Sequence, residues 1–131
     1  MRPDWESADA ETVSRLQAIL RFDTTNPPGN ELPLAHYLEA TLRDEGIETT
    51  RFEPDENRAV LVGRIRGNGT KRPVILLAHM DVVGVERGRW SVDPFAGEVR
   101  DGYLYGRGAI DDKGMLAANL MAMLLTKRAL A

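Results

Sequence analysis

Apolar positions 13, 16, 19 and 20 recur at helical spacing between residues 7 and 21, with Ser7 or Asp9 available as a cap and acidic residues in the first turn, so this segment is expected to form a surface helix with one buried stripe. The following residues, Asp23-Thr24-Thr25-Asn26-Pro27-Pro28-Gly29-Asn30, concentrate turn formers and must be a loop. A second helix is expected over 31–45, capped by Asn30. Pro33 is tolerable in its first turn, Leu34, Tyr37, Leu38 and Leu42 make its inner face, and Gly46 ends it. Residues 48–53 and 58–65 carry the β-branched and aromatic content of strands, and Gly67-Asn68-Gly69 forms a turn. The continuous apolar run 74–78 is expected to be the central strand, buried on both faces. Residues 97–105 suggest a β-hairpin with Asp101-Gly102 at its tip, and a final helix starts at Met115 with Leu120, Met121, Leu124 and Leu125 facing a core.

This order implies an α/β chain, with helices packed on a mixed, largely parallel central sheet. With 131 residues it is long enough for one domain and short for two, and it shows no internal repeat. Hydrophobic residues at 43% and charged residues at 28% match ordinary globular proteins, so disorder is not expected. A net charge of −3 with interspersed signs leaves no footprint for nucleic acid or an anionic membrane. No cysteine is present, which excludes disulfides, thiolate catalysis and cysteine-based zinc sites. The N-terminus lacks the apolar core of a signal peptide, and no run approaches the roughly 20 apolar residues of a membrane span. A cytoplasmic location is the expectation. The last helical pattern runs to Ala131 without a Gly, Asn or Pro stop, which suggests a chain cut inside or just after a helix.

The chemistry is concentrated at the two ends of the stretch 74–114. His79 and Asp81, two apart at a strand end, point the same way in extended backbone. Histidine is the commonest ligand of divalent transition metals, and its second nitrogen normally donates to a carboxylate, so one of the pair can bind metal while the other steers it; Asp81 as a ligand in its own right is the alternative. Asp111 and Asp112 occupy a glycine-rich loop before a helix, and one carboxylate can bridge two metal ions about 3.5 to 4 Å apart. Arg107 and Lys113 offset the local negative charge. Taken singly, each feature has a plainer explanation: His-x-Asp as a surface or cap interaction, Asp111-Asp112 as a helix N-terminal charge pair, Trp90, Pro94 and Phe95 as loop packing, Arg107 and Lys113 as solvated or paired structurally. Nucleotide binding fails because Asp111 stands where a dinucleotide fingerprint needs its third glycine, and serine hydrolase chemistry fails because no Gly-x-Ser-x-Gly occurs.

Together the motifs are far more specific. Leu-Ala-His-Met-Asp-Val-Val at 77–83, Trp-Ser-Val-Asp-Pro-Phe at 90–95 and Asp-Gly-Tyr-Leu-Tyr-Gly-Arg-Gly-Ala-Ile-Asp-Asp-Lys-Gly at 101–114 strongly resemble the M20 metallopeptidase family, which includes carboxypeptidases, aminoacylases and the acetylornithine and succinyl-diaminopimelate deacylases. The loop 23–31 is similar to that family's opening loop. The resemblance covers nearly the whole chain. It implies a zinc-exopeptidase-like fold in which His79 is a zinc ligand, Asp81 the catalytic carboxylate that orients it, Asp111 the ligand bridging two zinc ions (cobalt being an alternative metal), and Asp112 the residue after a peptide bond that is often cis. It further implies hydrolysis of peptide or N-acyl amide bonds in small substrates.

The same resemblance implies parts with no matching position here: a pair of consecutive glutamates giving the base and a ligand, a further acidic ligand, a late histidine, and a lid domain that mediates homodimerisation. Residues 1–131 are therefore expected to be the N-terminal portion of a single catalytic domain, inert alone. The competing expectation is a non-catalytic remnant or binding module that keeps the fold.

Overall fold

The structure is a computed structural model describing residues 5–130. Residues 1–4, part of the segment read above as lacking a signal peptide, and Ala131, the last position of the expected final helix, lie outside the described residues. The described elements are α1 (Trp5–Leu20), α2 (Leu32–Asp44), β1 (Glu48–Phe52), β2 (Val60–Arg64), a single 3-10 turn at Arg87–Arg89, β3 (Glu98–Arg100), β4 (Tyr103–Tyr105) and α3 (Lys113–Leu130). All three helices and the hairpin stand where apolar spacing put them, within two residues at most ends.

The helices exist because each has an apolar stripe to bury. Ile19 from α1, Leu34, Leu38 and Leu42 from α2, Ile47 after it, and Ala117, Leu120, Met121 and Leu124 from α3 form one buried cluster. β1 and β2 pair antiparallel in the register Glu48↔Arg64 to Phe52↔Val60 and lie against α2. Gly63 of β2 is small because a Cβ there would stand 3.0 Å from the Leu42 side chain. Polar groups at the edge of this layer are paired: the nearly buried Glu39 receives Arg43 and Arg51, each at 2.7 Å. Arg128 of α3 joins Glu11 of α1, at 2.7 Å, and Glu45 after α2. The hydrogen bond from Arg128 holds the Glu11 carboxyl below its ordinary range, with burial opposing it and Arg15 assisting.

Expectations at two helix starts change in detail. Asn30 does not cap α2; its Nδ2 donates to the Asp23 carbonyl at 3.3 Å. Glu31 occupies the cap position with helical backbone and no side-chain cap bond, its carboxylate being held by Arg58 at 2.7 Å, while the Asn57 carbonyl accepts the Leu32 N–H at 3.0 Å. A loop carbonyl thus does the capping that the sequence assigned to a side chain. The final helix begins at Lys113 rather than Met115, because Lys113 N–H already reaches the Gly108 carbonyl at 2.9 Å and Leu116 N–H the Asp112 carbonyl at 2.9 Å.

The largest difference concerns 74–78. This run forms no ladder, and Val74 and Leu77 are 85% and 84% exposed. A strand buried on both faces needs partners at both edges, and the ladders among the described residues are antiparallel pairs, β1 with β2 and β3 with β4, closed on themselves. The chain is α/β, with parallel pairing represented among the described residues by the single bridge between Thr25 and Val82. The run is nonetheless tied at its end: Asn119 of α3 donates to the Leu77 carbonyl at 3.2 Å. No helix among the described residues is long and apolar enough to cross a membrane.

Candidate metal-binding site

The bridge between Thr25 and Val82 fixes where the polar residues after the apolar run come to rest. Val82 N–H donates to the Thr24 carbonyl at 3.1 Å, Asn26 N–H to the Val82 carbonyl at 2.8 Å, and the buried Thr24 hydroxyl to the Met80 carbonyl at 2.7 Å. Residues 79–82 are thereby clamped to the loop after α1 by three bonds.

From the other side comes the loop leading into α3. The hairpin β3–β4 turns through Asp101 and Gly102, both at positive φ (54° and 81°), the signature of a type I′ turn, and returns the chain toward the end of α1. Arg107 N–H donates to the Pro94 carbonyl at 2.7 Å, and Gly108 adopts φ +86°. A Cβ at Gly108 would stand 2.6 Å from Val82 Cγ1, and one at Gly114 would stand 2.3 Å from the Ala109 carbonyl oxygen. The loop reaches the 79–82 segment because these positions lack side chains. Gly108→Ala is expected to cost about 1 to 2 kcal/mol from the left-handed backbone alone, and more from the clash with Val82; urea denaturation of the variant checks it, and an unchanged midpoint would contradict it.

The two loops bring His79, Asp81, Asp111 and Asp112 together. His79 Nδ1 lies 3.0 Å from Asp81 Oδ1 and 3.0 Å from the Asp81 carbonyl oxygen, and Nε2 lies 3.0 Å from Asp111 Oδ1. Asp112 turns away from the imidazole and accepts the His79 backbone N–H at 3.1 Å; the peptide bond between Asp111 and Asp112 is cis. Asn26 Nδ2 donates to Asp81 Oδ2 at 2.9 Å, a contact that neither turn formation nor the resemblance of loop 23–31 to the family's opening loop assigned to it.

Burial pushes the His79 imidazolium down, and the bonds to Asp111, the Asp81 carbonyl and the Asp81 carboxylate outweigh it, leaving its pKa above the ordinary histidine value. Asp81 is held below the usual carboxylate range, first by the Asn26 amide and then by His79, with burial opposing. Lys113 differs from its expected solvated or ion-paired state: its side chain is wholly buried, with Nζ donating to the Phe22 carbonyl at 2.6 Å, and burial brings its pKa down to about 8, partly offset by the charge of Asp23.

His79, Asp81, Asp111, Tyr105, Arg107 and Trp90 line a cleft of about 430 Å³. The Arg107 guanidinium lies over the Trp90 ring at 5.4 Å, and its Nε is buried without a hydrogen-bond partner among the described residues. The donor chemistry at the floor suits zinc: one imidazole nitrogen and one exposed carboxylate converge, and a second carboxylate backs the imidazole. It is a partial set, since among the described residues no group of three or more His, Cys, Asp or Glu side chains is placed to hold a metal ion.

The family model described as peptidase family M20/M25/M40 matches residues 75–131, which include His79, Asp81, Asp111 and Asp112. Succinyl-diaminopimelate desuccinylase of Bradyrhizobium sp. (strain BTAi1 / ATCC BAA-1182) is 42% identical over 119 residues, covering 88% of this chain and 30% of that protein. The N-fatty-acyl-amino acid synthase/hydrolase PM20D1 of Xenopus tropicalis is 51% identical over 51 residues, covering 39% of this chain and 10% of the relative. In fold, the crystal structure of human carnosine dipeptidase 1 superposes with a TM-score of 0.78 at 23% identity, covering 95% of this chain and 30% of the other. The chain spans about 30% of the length of the desuccinylases it matches. Over residues 75–131 the chain carries the sequence pattern of peptidase family M20/M25/M40, and its similarity to the desuccinylases extends over most of its length.

Proposed function

We propose that these residues are the N-terminal portion of the catalytic domain of a zinc-dependent amidohydrolase that removes an acyl group from, or cleaves a peptide bond in, a small amino-acid substrate. The observation that carries this reading is the convergence of His79 Nε2 and Asp111 Oδ1, with Asp81 behind the imidazole. His79 and Asp111 would hold zinc. Zinc supplies Lewis-acid polarisation of the scissile carbonyl.

The chain's own part is positional. Asp81 Oδ1 lies 3.0 Å from Nδ1; with the proton on Nδ1 it would accept from it and leave the Nε2 lone pair for the metal, its charge favouring a basic ring nitrogen. Asp112 fixes the His79 backbone and so the height of the imidazole above the loop. Among the described residues no glutamate lines the cleft; on this reading the general base, the remaining ligands and the lid with its dimer contact would come from outside residues 1–131. The name of the Bradyrhizobium relative points to an N-succinyl amino acid, and the cleft's Arg107 and Trp90 are compatible with a small acylated substrate. A cytoplasmic location belongs to the same reading.

The isolated chain is expected to show no hydrolysis of N-acyl amino acids or dipeptides with zinc or cobalt, because a catalytic zinc site uses about three protein ligands and a base. By calorimetry, zinc should bind weakly and lose that binding in His79→Ala. Metal-dependent turnover by residues 1–131 alone would overturn the assignment of inactivity. Equal binding by the native chain and His79→Ala would remove His79 from the ligand set.

A further inference from the structure

The side chain of Asn26, in the loop after α1, belongs to a relay that the motifs at 77–83 and 101–114 do not contain. Its Nδ2 donates to Asp81 Oδ2 at 2.9 Å, on the oxygen opposite the one that meets His79 Nδ1 at 3.0 Å. Its own backbone is tied by the bond from Asn26 N–H to the Val82 carbonyl at 2.8 Å, so the amide approaches Asp81 from a fixed base. Asp81 is one third exposed, and its other side-chain contact is with His79 Nδ1 at 3.0 Å, so the Asn26 amide is the second point that fixes the carboxylate. One oxygen held by a neutral donor and the other facing the imidazole leaves a single orientation that satisfies both.

We propose that Asn26 is a positioning residue: its amide locks the Asp81 carboxylate in the rotamer that holds the proton of His79 on Nδ1 and turns Nε2 toward Asp111. This rests on the reading of His79 as a ligand only for its purpose; the relay itself is a property of the unliganded chain. Nδ1 faces two Asp81 acceptors and Nε2 faces one, from Asp111, so the neutral ring carries its proton mainly on Nδ1 while Asp81 is held. Released, the carboxylate leaves, the two sides become balanced, and the population moves toward the Nε2–H form.

Long-range proton–nitrogen correlation spectra of the histidine rings, taken where His79 is neutral and in a His36→Gln background that leaves His79 as the sole ring signal, measure this directly. The native chain should show mostly the Nδ1–H tautomer. Asn26→Ala should shift the tautomer ratio several-fold toward Nε2–H, and Asn26→Asp, equal in shape but unable to donate from that position, should do the same. If melting temperature falls but the tautomer ratio stays native in either folded variant, Asn26 is structural and the proposal is overturned. Should neither variant fold, the native chain decides: one Asn26 side-chain amide proton must be shifted downfield and slow to exchange, and two averaged, fast-exchanging protons would overturn the relay. Failure to bind zinc would remove the reading of the site as zinc-binding while leaving these ring signals unchanged.

Discussion

Leu124→Ala should lower the unfolding free energy by about 3 kcal/mol, inside the roughly 2 to 5 kcal/mol range of buried leucine truncations. Leu124 has no exposed surface and belongs to the cluster in which α3 meets Ile19 of α1 and Leu34, Leu38 and Leu42 of α2, so the deleted methyl groups leave a cavity bounded by three elements. Collapse is restricted because α3 is also fixed at its head by the buried Lys113 and near its end by Arg128. The loss is a large share of the roughly 5 to 15 kcal/mol that holds an ordinary domain together. Leu130→Ala, at a 68% exposed position of the same helix, should change stability by no more than about 0.5 kcal/mol. Urea denaturation of the two variants beside the native chain measures the contrast; a loss below about 1 kcal/mol at Leu124 would show that α3 is not the centre of this core.

The helices were legible because their signal is local. A 3.6-residue period in α1, α2 and α3 can be counted without knowing what the stripe faces, and the turn at Asp101-Gly102 needs only two residues able to take positive φ. The run 74–78 shows where that reasoning ends. Five apolar residues state what the segment would gain from burial and nothing about which strands and helices would bury it. Among the described residues Val74, Ile75 and Leu77 lie largely in solvent. The cap of α2 is a second case: Asn30 is the better capping residue by type, but the Asn57 carbonyl from a distant loop reached the helix first.

At the site, the residues with strong chemistry were legible and their supports were not. His79, Asp81 and Asp111 stand out by residue type and spacing, and the structure brings all three within hydrogen-bond distance. Asn26 and Thr24 were legible only as members of the loop 23–31, which resembles the family's opening loop, and not by any role of their own; their bonds to Asp81 and Met80 cross more than fifty residues of sequence. Lys113 was misplaced for the opposite reason. Lysine is rarely buried, so a solvated or ion-paired side chain was the sound expectation, and only the packing of α3 against the end of α1 shows its ammonium inside the protein.

That burial should make the chain more stable in mild alkali than at neutral pH. With the Lys113 pKa at about 8 in the folded chain and 10.5 as its ordinary value, both states hold the proton below pH 8, and neither does well above 10.5. Between those limits the unfolded chain binds more protons than the folded one, so the unfolding free energy must rise with pH across this window. The full gap corresponds to on the order of 3 kcal/mol, absent below pH 8 and complete above 10.5. Lys113→Met keeps the length of the side chain and removes the titrating group, while Tyr and the remaining Lys residues titrate in both chains alike. The difference between the two stability profiles, from urea denaturation at pH 7.5 and 10.5, should therefore open by that amount in favour of the native chain; parallel profiles would show that the ammonium is solvated. The same variant reaches the site by a second route. The bond from Lys113 Nζ to the Phe22 carbonyl ties the head of α3, two residues past Asp111, to the loop that carries Asn26 to Asp81. Methionine at this position should loosen both loops that meet at His79, and the His79 ring signals should broaden or shift at neutral pH even where the variant remains folded.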